Sequence, residues 1–242
     1  MSRTAIFSDI HGNLKALEAV VADANSAGAQ NFACLGDIVG YGPNPIECIA
    51  ALQKIDCVCV KGNHDDDASN NRSLENLNDE ARASLEWTRK RLSSSQKDWL
   101  AALPYQRRLG RNMLVHASLD NPEVWNYVRN RFDAASSMQM QKTPLCFFGH
   151  THVPAAYCKE GVNVSALSET FIHLQTEQSY LINVGSVGQP RDGVPEASYV
   201  IFDRAERTLD FRRVPYDVQA VVEEINSSEL PSTLGERLIS AA

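Results

Sequence analysis

"CFFGHTH", Cys146 to His152, decides how this chain is read. A bulky apolar run ends at Phe148, a glycine follows, and then come two imidazoles with one residue between them. A short apolar run bounded by glycine reads as a buried strand. At its end a spacing of two sends His150 and His152 to the same side of an extended chain, whereas a helix would splay them apart. A helical metal site would carry its ligands three or four residues apart, as in H-E-x-x-H, and that motif is absent. The spacing therefore predicts a strand end that presents both imidazoles together.

Outward from this stretch, other apolar or β-branched runs predict strands at Thr4 to Ser8, Phe32 to Leu35, Cys57 to Val60 and Met113 to Val115. Three more follow at Tyr180 to Val184, Tyr199 to Phe202 and Leu209 to Val214. Between them the periodicity is helical. Leu14, Leu17, Val20, Val21 and Ala24 share one face of a helix over 14–27, with Gly28 to end it. A second helix runs from Pro45 to Leu52 with Asn44 as its N-cap, and a late one from Val218 to Ile225. In the middle, "NDEARASLEWTRKRL" is helical with acids first and bases last, and Ser95 with Asp98 resembles a capping box opening a helix that stops before Pro104. "DDDASNNRS", residues 65 to 73, reads as a surface loop. With no repeat, low-complexity tract or linker, one domain over 1–242 is expected, with a helical excursion at about 66–103.

Five of the six histidines, His11, His64, His116, His150 and His152, fall at or just past the C-terminal end of a predicted strand. In open α/β sheets ligands bind at that edge. Asp9, Asp37 and Asn63 lie in the same kind of place, in "FSDIHGN", "CLGDIVG" and "KGNHDD". Each motif alone is weak: Asp9 could open a helix, Asn63 could serve a turn, and His116 could be a core histidine. Five such sites, all at strand ends and all with metal-ligand chemistry, point to a joint function. His173, between strands, is read as structural or exposed.

Charge and cysteine usage bound the alternatives. A formal net charge of −7 disfavours a sequence-independent grip on duplex nucleic acid or an anionic membrane. The basic groups at 89–91, 107–108 and 212–213 read as solvated faces. No apolar stretch reaches membrane-span length, and the start, "MSRTAIFSDIHGN", lacks the apolar segment of a signal peptide, so a cytoplasmic location is expected. The six cysteines form no C-x-x-C pair and read as reduced packing residues.

Taken in order, Asp9-Ile10-His11-Gly12-Asn13, Gly36-Asp37, Gly62-Asn63-His64-Asp65, His116 and Gly149-His150-Thr151-His152 resemble the five motifs of the calcineurin-like metallophosphoesterase superfamily. "NVGSVGQPRDG", residues 183 to 193, is similar to a segment of its small prokaryotic phosphodiesterase-type members. The resemblance implies a four-layer α/β/β/α sandwich, two mixed β-sheets flanked by helices, with two divalent metal ions at the strand ends. It assigns Asp9, His11 and His152 to one ion, Asn63, His116 and His150 to the other, and Asp37 to both. Oxygen and imidazole donors suit Mn, Fe, Co, Ni or Zn. The expected reaction is in-line hydrolysis of a phosphate ester by hydroxide held between the ions. His64 is the expected outer catalyst, with Asp65 to orient it.

One departure narrows the substrate. Phosphoprotein phosphatases of the superfamily carry G-D-x-x-D-R-G at the second motif, and "GDIVGYG" puts Gly40 and Tyr41 where their aspartate and phosphate-holding arginine would stand. Asn13 or Arg191 is the candidate replacement for substrate binding. The expected partner is a small phosphorylated molecule, a phosphodiester or nucleotide-type ester being favoured. A phosphoprotein phosphatase is the alternative, and a binding scaffold on the same fold the third reading.

Overall fold

Side chains alternate along the first strand, β1 (Arg3–Phe7): Ile6 enters the core between two sheets, while Ala5 and Phe7 pack among helices on the outer face. The computed structural model describes residues 3–242. It continues through α1 (Leu14–Ser26), β2 (Ala29–Cys34), α2 (Pro45–Lys54), β3 (Val58–Cys59), α3 (Asn63–Ser69), α4 (Asp79–Arg91) and α5 (Ser94–Ala101). The hairpin β4 (Gln106–Leu109) and β5 (Asn112–Val115) leads through a 3₁₀ turn (Pro122–Val124) to α6 (Arg131–Gln139) and β6 (Leu145–Phe148). Then come β7 (Ala155–Glu160), β8 (Asn163–Leu167), β9 (Phe171–His173), β10 (Ser179–Asn183), β11 (Ala197–Asp203), β12 (Thr208–Val214), α7 (Val218–Asn226) and α8 (Thr233–Ser240).

The strands form two six-stranded mixed sheets, ordered β3-β2-β1-β11-β12-β9 and β4-β5-β6-β10-β7-β8. In the first, β1, β2 and β3 run parallel; in the second, β5, β6 and β10 do. Ile6, Leu35, Leu114, Phe147, Ile182 and Val200 fill the space between the sheets. The outer face of the first sheet meets α1 and α2 through Phe7, Leu17, Val20, Ile49, Leu52 and Tyr199. On the second sheet, Cys146, Phe148 and Leu181 pack with Ala134 and Met138 of α6. This is the expected α/β/β/α sandwich. Among the described residues no helix is long and apolar enough to cross a membrane, and all six cysteines are free, five of them buried.

Several elements depart from the sequence reading. The run "DDDASNNRS" is a loop only in its second half: α3 extends to Ser69, and Asp65, Asp66 and Ala68 are buried. Helix N-terminal acids are favourable, and Asp66 pairs with Lys61 at 3.3 Å and Arg72 at 2.9 Å. The capping box belongs to Ser93 and Gln96, not Ser95 and Asp98. Asn44 caps α2 by position only, its amide donating instead to Glu224 at 2.9 Å. Strands β4, β7, β8 and β9 and helices α6 and α8 gave no usable pattern, because β4 and β8 are mostly exposed and α8 contains Gly235, packed on Val222. His173 ends β9, exposed, rather than lying between strands. Arg212 and Arg213 are half-buried ion-pair partners rather than a solvated face.

Arg212 closes a bidentate pair with Asp23 at 2.7 and 3.0 Å, and the Tyr199 hydroxyl donates to the same carboxylate at 2.6 Å, tying α1 to β11 and β12. The Arg212 hydrogen bonds hold the Asp23 carboxyl below its ordinary value. A depressed carboxylate contributes stability above its unfolded pKa of about 4 and loses it as pH falls through the folded value. Asp23→Asn is expected to cost about 1–2 kcal/mol in urea unfolding at pH 7, with the gap between variant and parent narrowing below about pH 4.

Candidate metal centre

Five of the six parallel strands carry the site at their C-terminal ends. β1 ends just before Asp9, β2 before Asp37, β5 before His116, β6 before His150, and β3 precedes Asn63, the first residue of α3. The loops interlock by main-chain bonds: the amides of Asp9, His11 and Gly12 donate to the carbonyls of Gly36, Asp37 and Ile38 at 2.9–3.0 Å. Asp9, His11, Asp37, His150 and His152 all have left-handed φ, between 49° and 66°. This overturns the extended-strand reading of "DIH" and "GHTH". Strands β1 and β6 stop at Phe7 and Phe148, and the donors beyond them sit in tight turns. Such φ values cost about 1–2 kcal/mol per non-glycine residue and persist only where surroundings enforce them.

The donors form two buried clusters. Asp9, His11, Asp37 and His152 make one; Asp37, His116 and His150 make the other, so Asp37 belongs to both. In the first, His11 Nε2 lies 3.1 Å from His152 Nε2 and 3.6 Å from Asp37 Oδ2, while His152 Nε2 is 3.3 Å from Asp9 Oδ1. In the second, His116 Nε2 lies 3.2 Å from both Asn63 Oδ1 and His150 Nδ1, and 3.4 Å from Asp37 Oδ2. His150 and His152 are thus brought together, but they face different clusters.

Backbone carbonyls fix the ring orientations. His11 Nδ1 faces the Val39 carbonyl at 3.2 Å, His116 Nδ1 that of Leu35 at 2.9 Å, and His152 Nδ1 that of Gln189 at 2.6 Å. A carbonyl accepts only, so these contacts place the proton on Nδ1 and leave Nε2 as a lone pair aimed inward. In the first cluster the His11–His152 pair is then acceptor against acceptor. The aspartates are held similarly: Asp9 Oδ2 accepts the His150 amide at 3.0 Å and Asp37 Oδ1 the His64 amide at 2.8 Å. Their other oxygens turn to the clusters, and Asp9 Oδ1 is buried with no hydrogen-bond donor.

The electrostatics ask for positive charge. Burial disfavours each charged form, yet the His152 contact keeps the Asp9 carboxyl below its ordinary value, and His116 does the same for Asp37. Burial alone would lower His116, but the Asp37 charge lifts it to about 9, so the protein without a cation takes a proton there. Burial lowers His150 to about 3 and holds His11 well below normal. A set of buried oxygen and imidazole donors that converges in two clusters fits divalent transition ions.

Around this centre the remaining sequence candidates divide. His64 is buried, its ring edge-on to His11 with centroids 4.8 Å apart, and burial lowers it to about 4. Asp65 does not reach it. The Asp65 carboxylate accepts the amides of Ile38, Val39 and Gly62 at 2.8, 3.3 and 3.0 Å, bolting the second-motif loop to the start of α3. Burial and the Asp37 charge push Asp65 up to about 7 against those donors. Its role is to hold loops rather than orient His64. Asp65→Asn is expected to destabilise the fold by about 2 kcal/mol, since an amide NH₂ would face a backbone N–H; urea unfolding measures it.

Asn13 is likewise occupied. Its Oδ1 caps α1 through the Ala16 amide at 3.1 Å and its Nδ2 donates to the Gly188 carbonyl at 3.0 Å, leaving little for a substrate. Arg191 stays available: one Nη donates to Gln189 at 2.8 Å, Nε is buried without a partner, and the guanidinium lies 5.8 Å from the Tyr41 ring centre. Tyr41 packs against both His11 and His64 at 4.7 and 4.5 Å. Across the site, Tyr127 stacks on His150 at 4.2 Å and Trp125 meets His116 edge-on at 5.7 Å. Trp125 and Tyr127 lie outside every motif, so no sequence pattern marks them as neighbours of the site. The first part of the 183–193 segment is scaffold: Asn183 holds Gly149 and Thr151, and Ser186 holds the Asp9 carbonyl at 2.8 Å. Gly62 must lack a side chain, since a Cβ there would collide with the Asp37 carboxylate.

Comparison with known proteins agrees with this arrangement. A family model described as the calcineurin-like phosphoesterase superfamily domain matches residues 3–207. An uncharacterized protein of Methanocaldococcus jannaschii is 39% identical over 241 residues, spanning 98% of this chain and 97% of that one. The crystal structure of a metallophosphoesterase from Sphaerobacter thermophilus is 36% identical, with a TM-score of 0.87 over 100% of this chain and 99% of its own. A hypothetical protein from Pyrococcus horikoshii OT3 shares the fold at 18% identity, with a TM-score of 0.82 over 100% of this chain and 99% of that one. By the family match, which takes in every strand that carries a donor, the chain belongs to the calcineurin-like phosphoesterase superfamily.

Proposed function

We propose that the chain is a dinuclear, metal-dependent phosphoesterase. In this reading Asp9, His11 and His152 hold one divalent ion, Asn63, His116 and His150 hold the other, and Asp37 serves both. The observation that carries it is the meeting of imidazole nitrogens at 3.1 and 3.2 Å in two buried clusters that share one carboxylate. Manganese, iron, cobalt, nickel and zinc all suit such donors. Bound there, a pair of ions supplies an acidified water and charge neutralisation for a phosphoryl group.

The protein's own groups do the rest. His64, neutral because burial opposes its charge, has Nδ1 sealed without a partner beside Gly40, which leaves Nε2 to hydrogen-bond a phosphoryl oxygen. This favours a hydrogen-bonding role over that of a proton donor to the leaving alkoxide. Arg191 supplies the cation that the second motif lacks, and its unpartnered Nε supports that assignment. Tyr41 on one side and Trp125 and Tyr127 on the other give apolar walls suited to an organic ester group. A small phosphodiester or nucleotide-type ester is therefore favoured over a phosphoprotein.

A bis-ester, a dinucleotide polyphosphate and a phosphopeptide, assayed side by side across added divalent metals, test this. One of the first two is expected to give the highest kcat/KM. Preference for the phosphopeptide would support a protein phosphatase instead, and no turnover with any metal a binding scaffold.

A further inference from the structure

At the end of the sandwich opposite the metal centre, the two sheets part around a cavity of about 570 Å³. It opens at the N-terminal ends of strands that carry donors, with Thr4 of β1, Asn112 of β5 and Leu145 of β6 in its wall, and Tyr180 of β10 beside them. Its apolar side is the edge of the intersheet core, where half-buried Leu109 and Leu174 lie over the buried Leu145, Tyr180 and Phe202. Its volume falls in the range of small-molecule sites, about 300–1,000 Å³.

The rim is cationic in an acidic protein. Arg111 from the β4–β5 turn and Arg204 and Arg207 from the β11–β12 turn line the opening, against one carboxylate, Asp56. None of the three guanidiniums makes an ion pair with another described residue. Arg204 bridges the sheets in position, its Nη1 lying 3.9 Å from where a Cβ on Gly110 would stand. The amides of Asn31, Gln175 and Gln178 line the wall, and Gln178 is fixed by the Tyr180 hydroxyl at 2.5 Å. An apolar side, a few convergent amides and unpaired arginines are the elements of a site for an amphipathic anion.

The geometry points to a second binding site in this cavity, taking an organic anion of nucleotide size, its apolar body against Leu109 and Leu174 and its phosphate or carboxylate at the arginine rim. The inference is independent of the proposed catalytic reading, because no donor of the metal centre lines the cavity.

AMP serves as the probe, with adenosine for the body alone, inorganic phosphate for the head alone and citrate as a carboxylate anion. Calorimetric titration is run on the native chain with EDTA present, so that any affinity owed to divalent ions is removed. AMP is expected to bind, tighter than adenosine or phosphate by at least about tenfold, and Arg204→Ala with Arg207→Ala to weaken it by about tenfold or more. Citrate binding tighter than AMP, and lost in the same variant, would assign the site to carboxylates. Both arginines are exposed, so the variant should keep the parent's unfolding midpoint and its hydrolysis rate. AMP affinity that the double variant leaves unchanged would overturn the proposal; so would failure of both AMP and citrate to bind.

Discussion

Asp37→Asn is expected to lower phosphoester turnover by about 10³-fold or more, beyond the 10–100-fold typical of partners one shell further out, and to reduce the divalent metal retained per chain. The reason is its double membership. Asp37 Oδ2 lies 3.6 Å from His11 Nε2 and 3.4 Å from His116 Nε2, so this carboxylate is the charge common to both clusters. An amide removes that charge and turns either an oxygen or an NH₂ toward two lone pairs. The side chain has no room to reorient, since Gly62 is packed against it and the His64 amide already holds Oδ1. The loss should appear as reduced kcat and reduced metal content together. Full metal content with full turnover would contradict the assignment.

His64→Ala has the next largest expected effect, with a different signature. Removing a group that acts directly on the phosphoryl unit costs about 10²–10⁴-fold in kcat, while metal content stays at the parent's value because His64 faces neither cluster as a donor. Burial keeps the ring neutral, with its pKa lowered to about 4. A neutral donor needs no protonation step, so the deficit should stay flat between about pH 6 and 8. A deficit confined to the acidic side would show His64 acting as an acid instead, and lost metal would show it to be structural.

These two residues also mark what the sequence could and could not reveal. Asp9, His11, Asp37, Asn63, His116, His150 and His152 were legible because each follows a short apolar run, and runs that bury both faces, such as Leu145–Phe148, announce themselves by composition. How they would be presented was not legible. Left-handed turns at Asp9, His11, His150 and His152 come from long-range main-chain bonds, such as Gly188 to the Asp9 carbonyl, which no local periodicity encodes. The sorting of His150 and His152 into different clusters was hidden for the same reason. The groups that orient the rings, at Leu35, Val39 and Gln189, are carbonyls and carry no side-chain signature. Asp65 looked catalytic and Asn13 substrate-binding because motif adjacency marks a residue as near the site without saying which way its side chain is spent.

Three of the four strands missed, β4, β8 and β9, are edge elements, and the fourth, β7, lies just inside β8. β4, with Arg107 and Arg108, and β8 lie at opposite margins of one sheet, and half-exposed margins do not need the apolar alternation that marks a buried strand. Central strands such as β1, β6 and β11 were recovered within about two residues, the usual spread of element boundaries.

Elemental analysis of the native protein, purified without chelator and assayed before and after chelation, reaches the central claim most directly. The account predicts close to two divalent ions per chain, loss of turnover when they are stripped, and recovery on adding a transition-metal salt. A chain that hydrolyses phosphate esters at an undiminished rate with its ions removed would contradict it.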